Sequence, residues 1–471
     1  MFLRTARVGF FLLSVACWSS AGCNSSNSGA SFDGEYEIIN LEDRDLIDLD
    51  MIADAGLDTD ADRVMDINSD SNPDTGNDTD IDVGVVFYIA PDGNDRNSGT
   101  SIDFPFRTLE PALRQIHGGE TIYMRGGVYY LTKTIRIDSG HGSSLRRTKL
   151  FSYKDEVPIL DGSRFEVFDP DDVDNSIIRM TASYWHIRGL ILQKAPTSFG
   201  LQLLSSNSNT PEGNIFENLR LYANHGTGLT ISGGVTNNLI INCDSYENFD
   251  SQTDGENADG FAAKFDIGTG NEFRGCRAWA NSDDGYDLWQ ANNQVLLRDC
   301  WAYENGYDIW GHGPSFTGNG NGFKLGQAGG AHLLERCVTW KNRVRGFDVN
   351  GNTTGVTLHN CTAFNSGVNF AFNWDVGNHK LRNCLSHQGS ISTHELVDVQ
   401  YNSWTLAVTV SESDFQSLED MLAKGLRTPD GTLPESPFLR LETDSDLIDK
   451  GLDVGLAFLG LAPDLGAFEC Q

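Results

Sequence analysis

Asn242-Cys243-Asp244-Ser245-Tyr246 is the first of six related segments, followed by Gly275-Cys276-Arg277-Ala278-Trp279, Asp299-Cys300-Trp301-Ala302-Tyr303, Arg336-Cys337-Val338-Thr339-Trp340, Asn360-Cys361-Thr362-Ala363-Phe364 and Asn383-Cys384-Leu385-Ser386-His387. Each carries a cysteine, a small or apolar residue two places on and usually an aromatic residue one place later. The cysteines are 33, 24, 37, 24 and 23 residues apart, a unit of about 24 with insertions of 9 and 13. A period of this length suits one three-strand coil, with the insertions as loops on one side. The sequence therefore predicts an all-β right-handed parallel β-helix, a solenoid.

A second register supports the first. Gly228-Leu229-Thr230-Ile231, Gly260-Phe261-Ala262-Ala263, Gly285-Tyr286-Asp287-Leu288, Gly322-Phe323-Lys324-Leu325 and Gly346-Phe347-Asp348-Val349 all read glycine, large apolar, variable, apolar. Alternation by two turns the apolar residues inward and the variable residue outward. Equivalent positions on successive coils become ladder neighbours about 4.8 Å apart.

The outward positions carry the chemistry. Two places after the glycine stand Thr230, Ala262, Asp287, Lys324 and Asp348, and just before it Thr227, Asp259, Asp284, Asn321 and Arg345. With Asp283, four carboxylates (Asp259, Asp283, Asp284, Asp287) from two adjacent coils are expected on one outer face. Like charges at such spacing repel unless a cation intervenes. An all-oxygen set without His or Cys suits a hard cation, and four Asp of variable reach suit calcium better than magnesium. Lys324 follows one coil later in the same ladder. A bound divalent cation and Arg345 are expected to lower its pKa and make it a usable base, while Asp348 and the Asp cluster oppose them, so the expected shift is incomplete and the expected activity optimum alkaline.

The stretches Asn257-Ala258-Asp259-Gly260-Phe261, Asn281-Ser282-Asp283-Asp284-Gly285-Tyr286-Asp287 and Asn321-Gly322-Phe323-Lys324-Leu325 resemble the signature segments of polysaccharide lyase family 9, the β-helix pectate lyases. The likeness extends to Tyr88-Ile89-Ala90-Pro91-Asp92-Gly93, to Pro105-Phe106-Arg107-Thr108 and to Ala462-Pro463-Asp464-Leu465-Gly466-Ala467-Phe468. It implies that Asp259, Asp283, Asp284 and Asp287 bind calcium and that Lys324 is the catalytic base. The implied substrate is an acidic polysaccharide, polygalacturonate, cleaved by β-elimination after loss of the C5 proton. Lys264, Arg343 and Arg345 are candidate partners for substrate carboxylates. Two rivals remain: a lyase or hydrolase acting on another acidic polysaccharide such as alginate or rhamnogalacturonan, with Asp259 and Asp287 as a hydrolytic pair, and a non-catalytic carbohydrate-binding β-helix.

The chain has 471 residues and a formal net charge of -32, which argues against a nucleic-acid partner. Residues 33–82 hold 18 Asp and Glu against Arg44 and Arg63. This polar stretch cannot bury enough apolar surface to offset its ordering entropy. The expected organisation is a signal peptide over 1–22, an acidic linker over 23–84 and a catalytic β-helix over 85–471. Arg4 and Arg7 precede a short apolar run that ends in Ala21-Gly22-Cys23, which resembles a bacterial lipoprotein cleavage box. The expectation is an exported monomer, lipidated at Cys23 or secreted, that meets a membrane only through that anchor. A short capping helix is expected after Thr108, with Leu109, Leu113 and Ile116 on one face and a stop at Gly118-Gly119. The six register cysteines are expected to stack as reduced thiols.

Overall fold

The structure, a computed structural model, describes residues 84–165, 175–327 and 329–470. The signal peptide, Cys23 and all of the linker but its last residue lie outside the described residues. Among the described residues no helix is long and apolar enough to cross a membrane.

Every third strand pairs with its predecessor, always in parallel, which builds sheets of 12, 10 and 10 strands. The first sheet opens with Val86–Ile89, the second with Gly127–Tyr130 and the third with Ile135–Ile137. Each repeat cysteine sits at the corner between a first-sheet and a second-sheet strand, as Cys300 does between Val295–Arg298 and Trp301–Tyr303. The residue before it turns the chain with a left-handed backbone, φ lying between 50° and 61° at Asn242, Gly275, Asp299, Arg336, Asn360 and Asn383. Gly and Asn tolerate that conformation, which explains why they recur there. All six cysteines are free and buried, in accord with the expected stack.

The interior is filled by ladders of like side chains. Phe261, Tyr286, Phe323, Phe347 and Phe370 stack with neighbouring ring centroids 4.7–5.3 Å apart. Asn224, Asn248, Asn281, Asn305 and Asn342 form a second ladder, each amide donating to the next residue's Oδ1 at 2.8–3.1 Å. These asparagines stand five places after the cysteine on the repeat coils, so the sequence carried a signal that the reading above passed over. Outside, Tyr222, Tyr246, Trp279, Tyr303 and Trp340 stack on the second sheet with centroids 4.2–5.5 Å apart. The strand-poor C-terminal segment lies over the later part of this stack, where Phe438 packs on Trp340 and Asp420 accepts from the Trp340 indole at 2.9 Å.

The N-terminal helix forms, at Glu110–Gln115, and Leu109, Ala112 and Ile116 join the core. Thr108 does not cap it. Its hydroxyl donates to Asp95 Oδ2 at 2.8 Å, and Leu109 occupies the N-cap without a side-chain hydrogen bond. A carboxylate from the preceding loop outcompetes the helix for that hydroxyl.

Candidate active site

The third-sheet strands Leu229–Ser232, Phe261–Lys264, Tyr286–Asp287, Asn321–Lys324 and Arg345–Asp348 carry the second register. Pairing sets Ala262, Asp287, Lys324 and Asp348 side by side on successive coils, the ladder expected from the sequence. One oxygen from each of Asp259, Asp283, Asp284 and Asp287 lies within 4.8 Å of the others.

The carboxylates point away from the coil interior but are not exposed; all four are buried. The two insertions account for this correction to the outer-face expectation. Thr317 of the longer loop donates its backbone N–H to the Asp254 carbonyl of the shorter one, and Asn319 Nδ2 donates to Asp283 Oδ1 at 2.7 Å. Asn321 binds Asp284 Oδ1 through both its backbone N–H and its amide, each at 2.8 Å.

Two lysines enter the cluster. Lys264 Nζ lies 2.8 Å from Asp259 Oδ2 and 2.6 Å from Asp287 Oδ2. Lys324 Nζ lies 3.0 Å from Asp284 Oδ2 and 3.5 Å from Asp287 Oδ2. Lys264 thus belongs to the carboxylate cluster itself, a role its sequence position did not disclose. Arg345 pairs with Asp348 at 2.9 Å and stays half-exposed, while Arg343 donates to the Gly318 carbonyl and lies beside Phe316.

Burial raises the Asp284 carboxyl to about 7, with Asp287 and Asp259 adding to the rise and Lys324 opposing it. Burial also raises Asp283, together with Asp284 and Asp259. Asp287 goes the other way: despite its burial, Lys264 and Lys324 hold it below the usual carboxylate range. Burial would lower Lys324, but Asp284, Asp287, Asp283 and Asp259 outweigh it and hold the ammonium above the ordinary lysine value. Arg345, the other expected source of depression, has its guanidinium paired with Asp348.

The donor set fits a hard divalent cation. Once all four are ionised, four carboxylates against two ammonium groups leave two negative charges for a cation to offset, and every donor is oxygen. Asp284 Oδ2 is buried and faces the Lys324 ammonium at 3.0 Å without a hydrogen bond of regular geometry, which leaves it lone-pair capacity for a cation.

Comparison with known proteins gives this geometry its context. A family profile described as Pel9A-like, right handed beta helix region matches residues 87–383. Pectate lyase L of Dickeya dadantii (strain 3937) is 38% identical over 399 residues, spanning 82% of this chain and 90% of the relative. The chain belongs to the Pel9A-like β-helix family. Pectate lyase PEL9 of Emericella nidulans is 33% identical, spanning 78% of this chain and 94% of its own. Among solved structures, pectate lyase Pel9A superposes with a TM-score of 0.75 at 36% identity, covering 82% of this chain and 96% of that one. A rhamnogalacturonan lyase superposes with a TM-score of 0.68 at 28% identity, covering 77% and 97%. As a Pel9A-like protein the chain is a polysaccharide lyase.

Proposed function

We propose that the enzyme cleaves polygalacturonate by β-elimination, dependent on calcium, with Lys324 as the base that removes the C5 proton. The observation that carries this reading is the Asp287–Lys324 ladder pair set among three further aspartates, in a chain whose relatives are named pectate lyases. Asp259, Asp283, Asp284 and Asp287 would hold the cation. When bound it supplies positive charge that draws electron density from a uronate carboxylate, acidifies the neighbouring C5–H and offsets the aspartates around Lys324.

The chain's own residues do the rest. Lys324 Nζ takes the proton in its neutral form and becomes an ammonium, the C4–O bond breaks as the C4–C5 double bond forms, and the departing oxygen takes a proton from solvent water and leaves as a hydroxyl. Asn321 and Asn319 fix Asp284 and Asp283, so the cluster is organised before substrate arrives. Lys264 spans Asp259 and Asp287, which argues against a hydrolase: two carboxylates clamped on one ammonium group are not free to work across a sugar ring.

The second reading is rhamnogalacturonan, favoured by the lyase of that name at a TM-score of 0.68. Ultraviolet absorbance of unsaturated products on pure polygalacturonate and pure rhamnogalacturonan, with calcium or with chelator, tests both. Elimination from polygalacturonate only with calcium is expected; full activity in excess chelator would remove the metal assignment. Such a polymer lies outside the cell, and the Cys23 leader supports export as part of the same proposal.

A further inference from the structure

Beyond Lys324 the third-sheet ladder runs on to Asp348 and then to Ala371, where the charged positions end. At the turn just after these strands, successive coils present Gln327, Gly351 and Trp374. They form one row. The Trp289 indole N–H donates to Gln327 Oε1 at 2.6 Å, and a Cβ on Gly351 would lie 3.8 Å from the Trp374 ring and 4.0 Å from Gln327 Cγ. Gly351 has a φ of 68°, so a side chain there is disfavoured and the space beside the indole stays open.

Gln327, Arg345, Asp348, Asn350 and Trp374 line a groove of about 420 Å³ there. Trp374 is 46% exposed and lines this groove. Arg345 gives one nitrogen to Asp348 and keeps 41% of its side chain exposed, which leaves N–H donors for another acceptor. One aromatic face, one guanidinium paired with the Asp348 carboxylate and several amides form too polar a surface for an apolar ligand. They match an acidic sugar, whose C–H face stacks on a ring while its carboxylate seeks Arg. Arg345 also pairs in register with Asn321, which binds Asp284, so the groove starts where the reactive cluster stops.

We propose that this groove is a subsite for a uronic acid residue two or more places along the polymer from the one that reacts, with Trp374 as its stacking platform and Arg345 as its carboxylate partner. The inference rests on the polyuronate reading above. Trp374 stands two coils past Lys324, roughly 10 Å at the ladder spacing, so it lies beyond the reacting sugar and not beneath it.

The test uses trigalacturonate and hexagalacturonate. Binding is followed by intrinsic tryptophan fluorescence in the Lys324→Ala protein, and kcat and KM are measured in the otherwise intact enzyme. Trp374→Ala should weaken hexagalacturonate binding and raise its KM about tenfold with kcat little changed, while trigalacturonate is affected far less. Trp374→Phe, which keeps a ring face, should recover most of the loss. Unchanged hexagalacturonate affinity in Trp374→Ala would overturn the subsite alone. If neither oligomer binds and the intact enzyme cleaves neither, the polyuronate reading falls with it.

Discussion

Lys324 Nζ stands 3.0 Å from Asp284 Oδ2, across one rung of the solenoid, and the two groups pull each other's protonation in opposite directions. The lysine favours the ionised carboxyl, and the carboxylate favours the ammonium. For Lys324 to work as a base this coupling must be relaxed by charge that offsets the aspartates.

Lys324→Arg keeps a positive charge beside Asp284 and Asp287 but stays protonated at any working pH. It should lose at least about a thousandfold in kcat while folding normally, and Lys324→Ala should lose a similar amount. Initial rates of unsaturated product, paired with circular dichroism, check this. Near-normal turnover in Lys324→Arg would move the base elsewhere, with Lys264 as the next residue to test.

The raised carboxyls link stability to pH. Asp284 shifts from 3.8 to about 7, so the folded state holds a proton that the unfolded chain releases earlier. That stabilisation is complete below about pH 4 and is lost as pH rises toward 7. In chelator, Tm should therefore fall between pH 4 and 7, and calcium should reverse most of the fall at pH 7. Scanning calorimetry with and without chelator measures both. A metal-free Tm that rises across this window would contradict the arrangement.

Asn305 accepts from the backbone N–H and the amide of Asn281 at 3.1 and 3.0 Å, all of it buried. Asn305→Ala would orphan both donors, at a cost of about 3 kcal/mol. Urea unfolding is the measurement, and a loss below about 0.5 kcal/mol would mean that the ladder contributes little.

Mass spectrometry of the folded protein should find Cys243, Cys276, Cys300, Cys337, Cys361 and Cys384 reduced, with reductant leaving Tm unchanged. Buried thiols at one register serve packing. Bonded pairs among these six would refute it.

The repeats made the architecture legible because each coil reuses the same corner: a left-handed residue, most often Asn, then a buried Cys, then an outward aromatic. The Asp287–Lys324 ladder could likewise be read, since parallel pairing turns sequence period into spatial adjacency. The burial of the four aspartates could not. It depends on the path of two insertions whose lengths are visible but whose contacts, Thr317 to Asp254 and Asn319 to Asp283, join positions more than 30 residues apart. Lys264 was hidden for a related reason, because its partners lie on its own coil and on the next. Trp374 gave no signal at all: its row reads Gln, Gly, Trp, and no residue type recurs to mark it.

Because each reacting group occupies its own rung, the solenoid separates chemistry from length. A whole coil inserted between the Asp287 and Lys324 strands would part base from aspartates by about 4.8 Å and end turnover. The same coil inserted after Phe372 would leave every reacting distance untouched and add one more rung to the groove. Reach along the polymer can thus grow by duplication, while the reaction stays fixed by a single pair of neighbouring strands.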